Sequence, residues 1–75
     1  MNDNLYAIVL LPSANYAMRA EKILLSLNIK CKLIPVPREI SANCGVGVRI
    51  SRGDKEKARS ILEEINLKID RIRDF

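Results

Sequence analysis

Cys44 is the residue of this chain best suited to covalent chemistry. It sits near the end of the run Pro35-Val36-Pro37-Arg38-Glu39-Ile40-Ser41-Ala42-Asn43-Cys44-Gly45, and the chain has no histidine. A Cys-His dyad is therefore impossible, and no serine–lysine arrangement is suggested, which disfavours hydrolase chemistry. Carrying a group asks for less: one accessible sulfur whose anion is stabilised. Arg38 offers a positive charge within the same loop, and Gly45 a backbone that can approach the sulfur closely or adopt a positive φ. Glu39 and Ser41 suit closure of the turn through side-chain to backbone bonds. The second cysteine, Cys31, falls inside an apolar segment and reads as a small core residue. About five strand residues separate it from the loop end, roughly 16 Å, which is too far for a disulfide to Cys44, whose Cα limit is about 7 Å.

The elements around this loop follow from apolar spacing. Leu5 to Leu11 is a continuous apolar run, as expected for a central strand covered on both faces, and Pro12 stops it. Ser13 stands at a helix N-cap. Ala17, Ala20, Ile23, Leu24 and Leu27 then recur at helical spacing, with Asn28 as the stop. Cys31 to Val36 predicts a second strand, placed at a sheet edge by its proline. Val46, Val48 and Ile50 alternate with Gly47, Arg49 and Ser51 in a third. Gly53-Asp54 opens a second helix with Ala58, Ile61, Leu62 and Ile65 as its buried stripe. Lys68 to Phe75 gives a last, more polar strand.

The order strand, helix, strand, strand, helix, strand predicts one α+β domain over residues 1–75: a ferredoxin-like two-layer sandwich. Its antiparallel sheet is expected in the order 4-1-3-2, with both helices on one face. In that topology the first strand points toward the end of the sheet where the second turns into the third. The N-terminus of the first helix, with Ser13 and about half a positive charge, then lies near the Arg38 to Gly45 loop, where it stabilises a thiolate or a bound anion. Along the first strand Tyr6, Ile8 and Leu10 face one way and Leu5, Ala7, Val9 and Leu11 the other. One set packs under the helices, and the other is an apolar patch expected to meet water or a second copy of the chain. A homodimer through this open face is the expected assembly.

Composition bounds the rest. A chain of 75 residues buries only about 60% of the surface its unfolded form exposes. With 48% hydrophobic and 29% charged residues it has the make-up of a globular domain. The apolar start is too short for a membrane span or a signal h-region, so a cytoplasmic location is expected. Two cysteines without histidine do not make the usual structural zinc sets, and no cofactor is implied. The net charge of +4 is spread over Lys30, Lys32, Arg38, Arg49, Arg52, the second helix and Arg71 to Arg73, with few aromatics. That pattern predicts a solvated basic surface rather than nucleic-acid binding.

The segment Pro35-Val36-Pro37-Arg38-Glu39-Ile40-Ser41 followed by Cys44-Gly45, behind a helix carrying Ala17 and Ala20-Glu21-Lys22, resembles the Se/S carrier protein-like domains, small bacterial domains standing alone or attached to larger proteins. The resemblance covers nearly the whole chain. It implies Cys44 as the sulfur- or selenium-bearing atom, with Arg38, Ser41 and Gly45 shaping its loop and donor and acceptor proteins as partners. Ala14-Asn15-Tyr16 departs from the Thr/His-containing helix start of that family. The resemblance implies a carrier rather than an enzyme by itself. The alternative is an anion-binding or regulatory module in which Cys44 is incidental.

Overall fold

The computed structural model describes residues 5–40 and 45–74. Along the chain run β1 (Tyr6–Leu10), α1 (Ala14–Ser26), β2 (Cys31–Pro35), β3 (Val46–Ser51), α2 (Lys55–Glu64) and β4 (Arg71–Asp74), with a single 3-10 turn, Arg52–Asp54, leading into α2. The four strands form one antiparallel sheet in the order β2-β3-β1-β4. Counted from the β4 edge, that order runs β4-β1-β3-β2.

Strand parity explains why the two faces differ. Ala7, Val9, Val48 and Ile50 point to one side and join Ala17, Ala20 and Leu24 of α1 and Ala58 and Leu62 of α2 in one buried cluster. Both helices therefore cover the same face. The small side chains Ala17, Ala20 and Ala58, all fully buried, let the helix backbones approach the sheet closely. The apolar stripes fade at the last turns. Leu27 and Ile65, expected in the core, are 52% and 47% exposed.

Each helix ends by the same code. Asn28 and Asn66 take left-handed φ angles of 65° and 61°. The amide after each asparagine reaches back: Ile29 N to Leu24 O and Leu67 N to Leu62 O, both at 2.9 Å. Asn28 N and Asn66 N bond Leu25 O and Glu63 O in turn. This is the Schellman closure, in which an apolar residue after the left-handed position folds back on the helix; here Ile29 and Leu67 are buried.

The opposite face departs from expectation. Ile8 and Leu10 are buried, 3% and 0% exposed, together with Val36, and Ile34 and Ile40 pack against them. The chain leaving β2 thus folds back over the sheet as a strap and covers apolar residues expected to meet water or another subunit. Gly47 makes this possible. A Cβ there would stand 2.6 Å from Cγ2 of Ile8 and 2.9 Å from Cγ2 of Val36. Both are β-branched side chains with little freedom to turn aside. Pro37 O accepts from Ile40 N at 2.9 Å, closing a turn in the strap. Arg71 of β4 then donates to Ile40 O at 3.0 Å.

The C-terminal strand is fixed to the start of α2. Lys55 Nζ donates to Asp74 Oδ1 at 2.6 Å and Arg52 Nε lies 3.8 Å from it. The Lys55 hydrogen bond, aided by the charges of Lys55 and Arg52, holds the Asp74 carboxyl below the usual aspartate value. Asp54 stands at the N-cap position of α2 without a side-chain cap bond. Among the described residues no helix is long and apolar enough to cross a membrane.

Gly47→Ala is expected to cost about 1–3 kcal/mol through overpacking, while Gly45→Ala stays within about 0.5 kcal/mol; urea denaturation of the two variants checks this, and equal losses would refute the packing account. The bonded form of Asp74 is the carboxylate. Its contribution is complete above the ordinary aspartate value of about 3.9 and is lost as pH falls through its lower folded-state value. Asp74→Asn should therefore lower the melting temperature at about pH 6 but not at acid pH where the wild-type group is protonated.

Candidate functional site

The strap and its return form the connection between β2 and β3. Its described ends are paired to each other: Val36 N donates to Gly45 O at 2.9 Å, one step beyond the Pro35–Val46 pair. The loop is therefore closed at its base, with Arg38 exposed within it. Arg38 makes no ion pair among the described residues. Gly45 has no positive φ, and a Cβ there would meet no described atom within 4 Å. Of the two reasons expected for this glycine, the positive φ does not hold, and the close approach to the Cys44 sulfur lies outside the described residues. Ser41 and Cys44 lie outside the described residues, so their expected roles carry forward from the sequence.

Strand directions bring the remaining pieces to one end. β1 and β2 both run antiparallel to β3, so their C-terminal ends lie beside the start of β3. Pro12, Ser13 and the first turn of α1 follow β1 at this end, and the loop follows β2. Ser13 is the N-cap: its extended backbone precedes the helix and its Oγ accepts from Tyr16 N at 3.4 Å. Its carbonyl accepts the first helical bond, from Ala17 N at 3.1 Å. The first turn of α1 contains no acidic residue, so no carboxylate offsets the partial positive charge of the helix start. Ser13 and Gly45 thus lie at the same end of the sheet, while Arg38 sits in the strap on the side away from the helices.

Cys31 has a different environment. It starts β2 on the helix side of the sheet, half-buried against the main core. Its thiol donates to Glu21 O at 3.5 Å. Burial first, and then the neighbouring Glu21 carboxylate, push the Cys31 thiol above its ordinary value. Both effects disfavour the thiolate, the nucleophilic form. Cys31 is built to stay a thiol.

Two features near Cys31 were missed from the sequence. Glu21, besides meeting Cys31, accepts from Leu33 N at 3.3 Å through its carboxylate, so a helix side chain occupies an amide on the exposed edge of β2. The second is a shallow pocket of about 310 Å³ whose lining includes Tyr6, Lys30, Cys31, Lys32 and Arg49. Helical spacing on α1 gave no reason to turn Glu21 toward the sheet. Only strand register brings Tyr6 beside Arg49.

The molecule is thus a small α+β sheet covered by two helices, with a closed inter-strand loop set at the end where the first helix begins. The chain belongs to the family described as Putative Se/S carrier protein-like, whose model matches residues 6–73. No curated protein and no solved structure gives a match.

In a Cys44→Ser variant, where Cys31 is the one remaining cysteine, alkylation is expected to be slow at neutral pH. Its rate should rise only above the ordinary thiol pKa of about 8.5. A midpoint at or below that value would contradict the environment described for Cys31.

Proposed function

We propose that this chain is a sulfur or selenium carrier of ferredoxin-like architecture, with Cys44 as the accepting thiol. Membership of the carrier-like family over nearly the whole chain is the observation that carries this reading. The loop's closed base and its position at the α1 start support it. Arg38 and the amides behind Ser13 supply positive potential for a thiolate in the loop. Cys31, held as a thiol, is the poorer nucleophile of the two.

Loading is a thiol exchange with a donor persulfide. The Cys44 thiolate attacks the outer sulfur of the donor, forming a new S–S bond at Cys44. The donor's own S–S bond breaks and the donor leaves as a thiolate. The outer sulfur keeps its proton, so electrons and atoms balance without an external oxidant. Delivery is the same exchange to an acceptor nucleophile, and a selenium cargo follows the same scheme.

A homodimer across the open face was the expected assembly, driven by apolar residues on β1. Ile8 and Leu10 are already covered by the strap, Tyr6 is half-buried beside Arg49, and Lys32, Arg49, Arg71 and Arg73 occupy strand positions on that face. Two copies meeting there would oppose like charges. Much of the apolar drive is spent within the chain.

Incubation of the purified chain with a cysteine desulfurase and cysteine should add the mass of one sulfur atom, removed again by a thiol reductant. The adduct is expected in wild type and in Cys31→Ser, and absent in Cys44→Ser. Arg38→Ala should slow both loading and alkylation of Cys44 at neutral pH by a few-fold, the scale of an exposed charge interaction. Sulfur found on Cys31, or none on either cysteine, overturns the reading.

A further inference from the structure

The cations that are scattered along the sequence are gathered in space. Register pairs Lys32 with Arg49, Arg49 with Ile8, and Ile8 with Arg73. Residues directly opposite in an antiparallel pair share a face. Lys32, Arg49 and Arg73 therefore share one row of strand positions, from the β2 edge to the β4 edge, on the side away from the helices, with Ile8, buried beside the strap, between Arg49 and Arg73. Three strand spacings of about 4.8 Å give the row a width of roughly 14 Å. Arg71, opposite Leu10, adds a fourth cation next to the strap. None of the four forms an ion pair among the described residues. No acidic residue occupies a strand position on this face; Asp74, the one acid in the strands, pairs with Ala7 on the helix side.

An aromatic ring accompanies the row. Tyr6, opposite Ser51, lies on the same face, and the Arg49 guanidinium stacks over its ring with 4.4 Å to the centroid. Both residues line the 310 Å³ pocket with Lys30 and Lys32. We infer that this basic sheet face binds single-stranded nucleic acid. The cation row neutralises backbone phosphates, and the Arg49–Tyr6 stack offers a planar surface beside which an unpaired base packs.

The alternatives fit less of the surface. A second copy would set the row against itself. An acidic protein needs apolar anchors at the interface centre, and most of the large exposed apolar residues lie elsewhere: Tyr16, Met18, Leu25 and Leu27 on or just after α1, and Ile65 at the end of α2, with Leu5, just before β1, the exception. A duplex keeps its bases stacked inward and leaves the ring and its pocket unused. None of these surface residues acts through Cys44.

The test is fluorescence anisotropy with a labelled mixed-sequence 12-mer, about three to four times the contacted length, as single-stranded RNA and as DNA. Micromolar or weaker affinity is expected, and log K should fall against log salt with a slope of about −2 to −3, at about −0.7 for each of three or four phosphates. Lys32→Ala and Arg73→Ala should each reduce the slope magnitude by about 0.7. Tyr6→Leu should weaken binding about 5-fold or more without changing the slope. Lys57→Ala on α2 and Lys22→Ala on α1, both exposed, remove the same charge elsewhere and should leave the slope unchanged. Cys44→Ser should bind as wild type. The proposal is overturned if no strand binds at low salt, if the helix variants lose as much as the sheet variants, or if poly-glutamate or duplex DNA binds as tightly as the single strand. Circular dichroism of each variant separates lost binding from lost folding.

Discussion

The arrangement depends on a missing side chain. At Gly47 two β-branched residues, Ile8 from the central strand and Val36 from the strap, approach closer than any Cβ between them would allow. That approach turns the exit of β2 back across the sheet instead of out into water. A sheet with helices on one face ordinarily leaves the other to solvent or a partner. Here the chain supplies its own second layer from a handful of residues. Fully burying side chains such as Ile8 and Leu10 contributes about 1.5–3 kcal/mol each, an upper estimate because the unfolded chain already hides some of this surface. For a chain of this length that is a large share of its stability.

Much of the architecture was legible in the sequence because it is written locally. The alternation in Val46–Ser51, the unbroken apolar run of β1, the Ser13 cap and the Asn28 stop each depend on residues within one turn or a few strand positions. The strap was not legible, because it requires Gly47 to meet Val36 and Ile8, which only strand pairing brings together. A glycine alternating with valines reads as a gap in a strand. The second helix end was missed for a smaller reason. Asn66-Leu67 repeats the role of Asn28-Ile29, yet Ile65 extends the apolar spacing and masks the stop.

The candidate site divides in the same way. Cys31 could be set apart from Cys44 by its place in a strand, and its burial and its bond to Glu21 O agree with that reading. The basic face could not be seen, because its cations lie far apart in the chain. Its parity was nonetheless present: Arg71 and Arg73 are two apart, and Arg49 lies between Val48 and Ile50. Net charge and aromatic count, the quantities that argued against a nucleic-acid surface, do not register how charges are shared between two faces.

The hydrogen bond from Arg71 to the carbonyl of Ile40 crosses from one edge strand toward the chain leaving the other. It makes the shape of the β2–β3 connection a property of the whole sheet. The last strand is itself held to the second helix through Asp74 and Lys55, so the loop is moored, in two steps, to an element on the opposite layer. Fraying at the C-terminal edge would slacken a segment some thirty residues earlier in the chain. A partner that grips β4, or releases it, would have a mechanical handle on the loop without touching it.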